Sequence, residues 1–263
     1  MTPAPSPLFV IPSRAISPVR NLLSPIPITS GPPSPPPSPP KLNSEFETFF
    51  KDHIRKLLLV RGRSRYVSKN NPCVTRIRYL RRIFPDARFL WYVRNPIDHA
   101  ASVLKQDRLF SDLARDDKRL VRMNKMTGFH EFGPNYVPVN LGNDAIVQEI
   151  YRCRDQGRQV RARALQWASV FGFLIEQLKD HPELARAVCV VRYEDLCTKP
   201  EETIDRLLAH TGLSLDAFTP VRMKYISKLS LPDYYRPNFS VEERAEIISL
   251  TKDVAAHFGY SLV

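Results

Sequence analysis

Phe84 to Ser102 reads FPDARFLWYVRNPIDHAAS, an apolar run that ends in a cation and passes directly into a helix start. Residues 87–93 are β-branched, aromatic and apolar with little alternation, which suits a buried strand covered on both faces, as in a parallel sheet. Arg94 then falls at the strand's carboxyl end. Asn95 supplies an N-cap, Pro96 fits the first helical position, and Asp98 complements the positive end of the helix dipole. Ligands of open α/β sheets bind at such carboxyl edges, so the junction reads as a place to hold a phosphate. The competing reading is an ordinary strand-turn-helix whose arginine pairs with a neighbouring carboxylate.

Arg94-Asn95-Pro96, Asp98 and Ser102 resemble the 3′-phosphate-binding segment of sulfotransferases that use 3′-phosphoadenosine 5′-phosphosulfate (PAPS). The resemblance implies that Arg94 and Ser102 hold the nucleotide's 3′-phosphate, a guanidinium giving a charged planar fork and a hydroxyl a neutral donor. Tyr66 to Pro72, YVSKNNP, precedes this segment by one helix-sized gap and is similar to the family's strand ending in a lysine. That makes Lys69 the cation expected near the transferring sulfonate. Ala187 to Leu213, with its Tyr193-Glu194-Asp195-Leu196 turn, and Ser240 to Tyr260 resemble the family's late strand and closing helix. The resemblance spans about residues 64–260.

Sulfotransferases open with a strand and a Gly-containing basic loop that wraps the 5′-phosphosulfate, and this chain has no glycine before Gly31. Its nearest analogue is Leu8-Phe9-Val10-Ile11, followed by a stretch with Arg14 and Arg20. Pro12 and Pro18 have no N–H to offer a phosphate, and tight left-handed turns without glycine are costly. The fold expected is therefore α/β, with a mostly parallel sheet flanked by helices, like the P-loop-containing nucleoside triphosphate hydrolases, and incomplete at its amino terminus. A truncated or misassigned start of the sequence would explain the missing loop.

The 263 residues suffice for one α/β domain. Residues 1–40 hold more than half of the 24 prolines and end in GPPSPPPSPP, a composition of spacers and disordered segments, so the sulfotransferase-like domain is expected over 41–263. A net charge of +12 attracts anions without selecting one. The densest cationic stretch, Arg152 to Arg163, reads as a solvated helix face, with a docking strip for an acidic acceptor as the alternative. Cys73, Cys153, Cys189 and Cys197 lack paired CxxC spacing, so no metal site is expected. Cys189 reads as a small core residue. With no signal peptide and only strand-sized apolar runs, the expected compartment is the cytoplasm. A misassigned amino terminus would readmit the Golgi, where many relatives of that family are anchored.

Helices are expected over residues 45–59, 74–83, 96–113 and 145–179, the last interrupted at Gly157, and strands at 66–68, 87–93 and 188–191. Pro200 opens and Gly212 closes a further helix, and Ser240 with Glu243 makes a capping box. Residues 117–144 read as a loop-rich cap. Transfer of a sulfonate needs a base for the acceptor and cations for the charge gathering on oxygen. In cytosolic members of the family a histidine two residues after the lysine is that base, and Asn71 stands there. His99, His130, Glu131 and Asp98 are the candidates to replace it, each with a structural reading beside the catalytic one. Trp167 and the Tyr193–Asp195 turn likewise admit nucleotide contact, but packing is the simpler role.

The activity expected is transfer of a sulfonate from PAPS to a hydroxyl or amine of a small-molecule or glycan acceptor, with Lys69 catalytic and no metal. The alternative is a catalytically inactive or truncated sulfotransferase-like module that binds a nucleotide or a partner. A generic polyanion binder is a third reading, which the charge permits and no nucleic-acid motif supports.

Overall fold

The computed structural model of the protein describes residues 8–11, 43–69, 71–231 and 238–262. Strand β1, Leu8–Ile11, precedes helix α1, Ser44–Arg61, which Asn43 caps by accepting from the Phe46 N–H. Strand β2, Tyr66–Lys69, leads into a 3₁₀ turn at Asn71–Arg76 and then α2, Ile77–Ile83. The single helix expected over 74–83 thus starts as a tighter 3₁₀ segment. Strand β3, Arg88–Val93, is followed by α3, Pro96–Asp116, and α4, Lys118–Thr127. Helices α5, Asp144–Asp155, and α6, Gln159–Asp180, are separated where Gly157 adopts a φ of 75°. After α7, Pro182–Ala185, come strand β4, Val188–Arg192, α8, Tyr193–Thr198, α9, Pro200–Thr211, α10, Leu215–Ile226, and α11, Val241–Ala256.

The loop expectation for 117–144 is corrected at its start. Asp117 caps α4 through the Arg119 N–H, and Gly128 closes it in a left-handed conformation, so ten residues of the cap are helical. The α11 capping box of Ser240 and Glu243 is present in both directions.

The four strands lie in the order β2-β1-β3-β4. β3 and β4 pair in parallel, with Leu90 beside Cys189 and Trp91 beside Val190. β1 pairs antiparallel with both β2 and β3. Three strands therefore share one direction and β1 opposes them, so two of the three pairings are antiparallel where a mostly parallel sheet was expected.

Both faces of β3 are covered, which accounts for its unbroken apolarity. Phe89, Trp91 and Val93 join the main core with residues of α1, α2 and α6, including Ile54, Leu80 and Leu174. Leu90 packs with Cys189 and Val191 on the other face, under Leu207 of α9. Ile97 and Ala100 seat α3 against Ala164 of α6 and Ile247 of α11. All four cysteines are free thiols, and Cys189 is buried.

Candidate functional site

The carboxyl ends of β2, β3 and β4 lie along one edge of the sheet, and each ends in or next to a cation: Lys69, Arg94 and Arg192. At β3 the junction is held from three sides. The Asn95 side chain accepts from the Ile97 N–H at 2.9 Å and caps α3. Glu194 accepts the Asn95 N–H at 2.9 Å and, through its other oxygen, the Tyr260 hydroxyl at 2.6 Å. Trp167 donates its indole N–H to the Arg94 carbonyl at 3.2 Å. Trp167 is 2 % exposed, so it belongs to the core. The expected Tyr193-Glu194-Asp195-Leu196 turn is the start of α8, and its Glu194 clamps the Arg94 loop. Burial, with the Glu194 charge behind it, pushes the Tyr260 phenol well above its usual range, so it stays protonated and keeps its proton for Glu194.

This clamp leaves the guanidinium of Arg94 unspent. Its centre lies 4.8 Å from the middle of the Tyr193 ring, and its Nε is buried without a hydrogen-bond partner. A buried donor with no partner costs free energy, which a bound anion would recover. Asp98 sits in the first turn of α3. Burial raises its carboxyl pKa while the Arg94 charge opposes the rise. Half-buried Ser102 lies three residues beyond His99 on α3, so the two share a helix face.

His99 is half-buried on α3. Its Nδ1 is enclosed without a partner, and its ring meets Phe171 edge-on at 6.4 Å. Burial first, then the charges of Arg94 and Arg163, lowers its pKa to about 3, so the imidazole is neutral at physiological pH.

The β2 end is built differently. Lys69 is exposed. The register sets Lys69, Leu8 and Leu90 in one row, so Lys69 lies two strands from β3 and four residues short of Arg94. At ~3.3 Å per residue and ~4.8 Å per strand, that is about 13 Å along and about 10 Å across. The two cations thus stand well apart along the same edge of the sheet. Beyond Lys69, the Asn71 amide donates to the Glu131 carboxylate, which arrives from the cap.

The cap is tied down by ions whose pairing no local pattern announces. Arg163 of α6, 5 % exposed, donates through Nε and Nη2 to Asp107 of α3, and Arg154 reaches the same carboxylate at 3.5 Å. The other oxygen of Asp107 accepts the Gly133 N–H at 3.0 Å. Gly133 has a φ of 70°, and a Cβ there would stand 3.0 Å from that of Phe110, so only glycine fits. The Tyr136 ring meets the guanidinium centres of Arg163 and Arg154 at 3.9 and 4.3 Å. The expectation of a solvated face over Arg152 to Arg163 is therefore corrected, since Arg154 and Arg163 turn inward. Arg161 bridges Glu149 and Glu246, while Arg152 and Arg158 stay exposed.

Because β1 runs against its neighbours, Leu8 lies beside Lys69, and Ile11 ends beside Tyr66 at the opposite edge. Arg14 and Arg20 lie outside the described residues, as does the remainder of the 1–40 segment apart from β1. Among the described residues no group of three or more His, Cys, Asp or Glu side chains could hold a metal, and no helix is long and apolar enough to cross a membrane.

Residues 38–131 match the model of the sulfotransferase family, and over this segment the resemblance read from the residues holds. It takes in Lys69, Arg94, Ser102 and Glu131, and it stops short of the Tyr193–Leu196 turn and the closing helix. No curated protein and no solved structure matches the chain at a significant level.

Proposed function

We propose that the protein transfers a sulfonate from PAPS to a hydroxyl or amine acceptor, a small molecule or a glycan, on a sulfotransferase-like α/β domain of residues 41–263. The observation that carries this reading is Arg94, a guanidinium with an unspent buried Nε at the mouth of a capped 21-residue helix. The match to the sulfotransferase family over the same residues supports it.

In this reading Arg94 grips the 3′-phosphate, with the Ser102 hydroxyl as a neutral donor. Glu194, Tyr260 and Trp167 hold the loop so that the fork does not have to be ordered on binding. PAPS supplies the activated sulfonate. Lys69, at the other end, neutralises negative charge on the oxygens around the transferring group. Neutral His99 leaves the cationic surroundings of the phosphate unchanged while adding no competing anion.

The reversed β1 favours one second reading, a sulfotransferase-like module that keeps the 3′-phosphate half-site and binds a nucleotide or a partner without turnover. Incubation with sulfonate-labelled PAPS and a panel of phenols, amines and sugars separates the two. Labelled product that disappears in Lys69→Ala supports transfer. Saturable nucleotide binding with no labelled product or released sulfate supports the module.

A further inference from the structure

We propose that Glu131 is the general base of this reaction and that Asn71 holds it in place, an inference that rests on the sulfotransferase reading above. Asn71 stands two residues after Lys69, at the start of the 3₁₀ turn that leaves β2. An amide cannot take up a proton usefully, but its NH₂ donates to Glu131 Oε2, delivering a carboxylate to the position the amide occupies. The other oxygen, Oε1, is left for an acceptor group.

The carboxylate is fixed at both ends, as a general base must be. Its own backbone carbonyl accepts from Arg163 at 3.4 Å, and Arg163 is locked to Asp107. Two residues on, Gly133 is pinned to the same aspartate and pressed onto Phe110. Phe129 and Phe132, on either side of Glu131 in sequence, both pack on the Phe110 ring, the first stacked at 5.1 Å and the second tilted at 5.7 Å. The buried ion pair of the cap thereby has a destination beyond stability, since it sets where Glu131 stands.

The other candidates are placed elsewhere. His130 has its Nδ1 3.1 Å from the Asn135 carbonyl, a contact within the cap itself. His99 is neutral under the charges of Arg94 and Arg163, with its ring against Phe171. Asp98 lies in the first turn of α3, beside Arg94 at the phosphate end. Of the four candidates, Glu131 is the one that meets Asn71, two residues after the β2 lysine.

In the step itself, the acceptor O–H or N–H gives its proton to Glu131 Oε1 as its oxygen or nitrogen bonds to sulfur. The bond from sulfur to the bridging oxygen breaks, and its electron pair leaves on the 5′-phosphate of 3′-phosphoadenosine 5′-phosphate. No oxidant, reductant or metal is required.

The test compares wild type, Glu131→Gln, Glu131→Asp and Asn71→Ala in PAPS hydrolysis, with water as acceptor, and in transfer to para-substituted phenols of graded acidity. The proposal expects Glu131→Gln to slow turnover of the least acidic phenol by about 100-fold or more. The defect should shrink towards 4-nitrophenol, which loses its proton without help, while 3′-phosphoadenosine 5′-phosphate binds all four proteins equally. Glu131→Asp should retain part of the rate. Independently of turnover, Asn71→Ala should raise amide hydrogen exchange over residues 129–137. Undiminished turnover in Glu131→Gln, or a defect equal for all phenols, overturns the base assignment alone. A wild-type protein that binds the nucleotide yet releases sulfate to neither water nor phenols overturns the transfer reading, and the base with it.

Discussion

At the carboxyl end of β3 the Arg94 loop is held by Glu194, Tyr260 and Trp167, drawn from two helices and the segment after α11. At the carboxyl end of β2, Lys69 projects from an exposed strand terminus, and its neighbour Asn71 is met by one loop of the cap. The first region is organised by the core of the domain before any ligand arrives. The second depends on a cap whose own anchor is the Asp107–Arg163 pair. A nucleotide's 3′ end would thus bind to a rigid half-site, and the reacting end would be completed by a separately stabilised unit.

The largest effect should come from removing that anchor. Asp107→Ala leaves Arg163 buried without its carboxylate and frees the Gly133 N–H, a loss of about 3–5 kcal/mol. Urea denaturation measures it, and a loss under about 1 kcal/mol would mean that the cap is not held by this pair. Fluorescence from a probe in the cap should report its release before the β3 end loosens, and simultaneous loss of both would erase the difference between the two regions.

A smaller, pH-dependent effect belongs to the β3 end. Unfolded, His99 takes up a proton near pH 6.5, whereas folded it stays neutral down to about 3. Between those values the unfolded chain binds the extra proton, so stability falls with falling pH by about 1.4 kcal/mol per unit from this group. The difference between wild type and His99→Gln in denaturation from pH 7 to 5 isolates the contribution. Parallel curves would show that His99 is accessible to protons in the folded protein.

Smaller still, Asn95→Ala should cost about 1 kcal/mol through loss of the α3 cap, read as a lowered melting temperature. Lys69→Ala should change stability by no more than about 0.5 kcal/mol, because its side chain is exposed. A cost above that would place Lys69 in the scaffold and sharpen the comparison in the opposite sense.

The β3–α3 unit was legible in the sequence because its signals are local: an unbroken apolar run, then a cap, a proline and an acid at successive positions. Proline and glycine marked the two ends of α9, and glycine the break between α5 and α6, for the same reason. The cap was not, since Asp107, Gly133 and Arg163 are brought together across 26 and 56 residues and have no periodicity that joins them. α4 was hidden among polar residues, although Asp117 before it and Gly128 after it are helix boundary signals. The direction of β1 follows from pairing on both its sides, which four apolar residues cannot encode alone. Of the candidate site, Lys69, Arg94 and Ser102 came from the resemblance to the sulfotransferase family, while the meeting of Asn71 with Glu131 needed the fold.

The central claim is that Arg94 is an organised receptor for a 3′-phosphate, and calorimetric titration with 3′-phosphoadenosine 5′-phosphate tests it most directly. Wild type should bind at micromolar concentration, and Arg94→Ala, with its fold verified by circular dichroism, should bind about 10- to 100-fold more weakly, the range of a lost charge-assisted hydrogen bond. Equal binding by both proteins, or none by a folded wild type, would contradict the account.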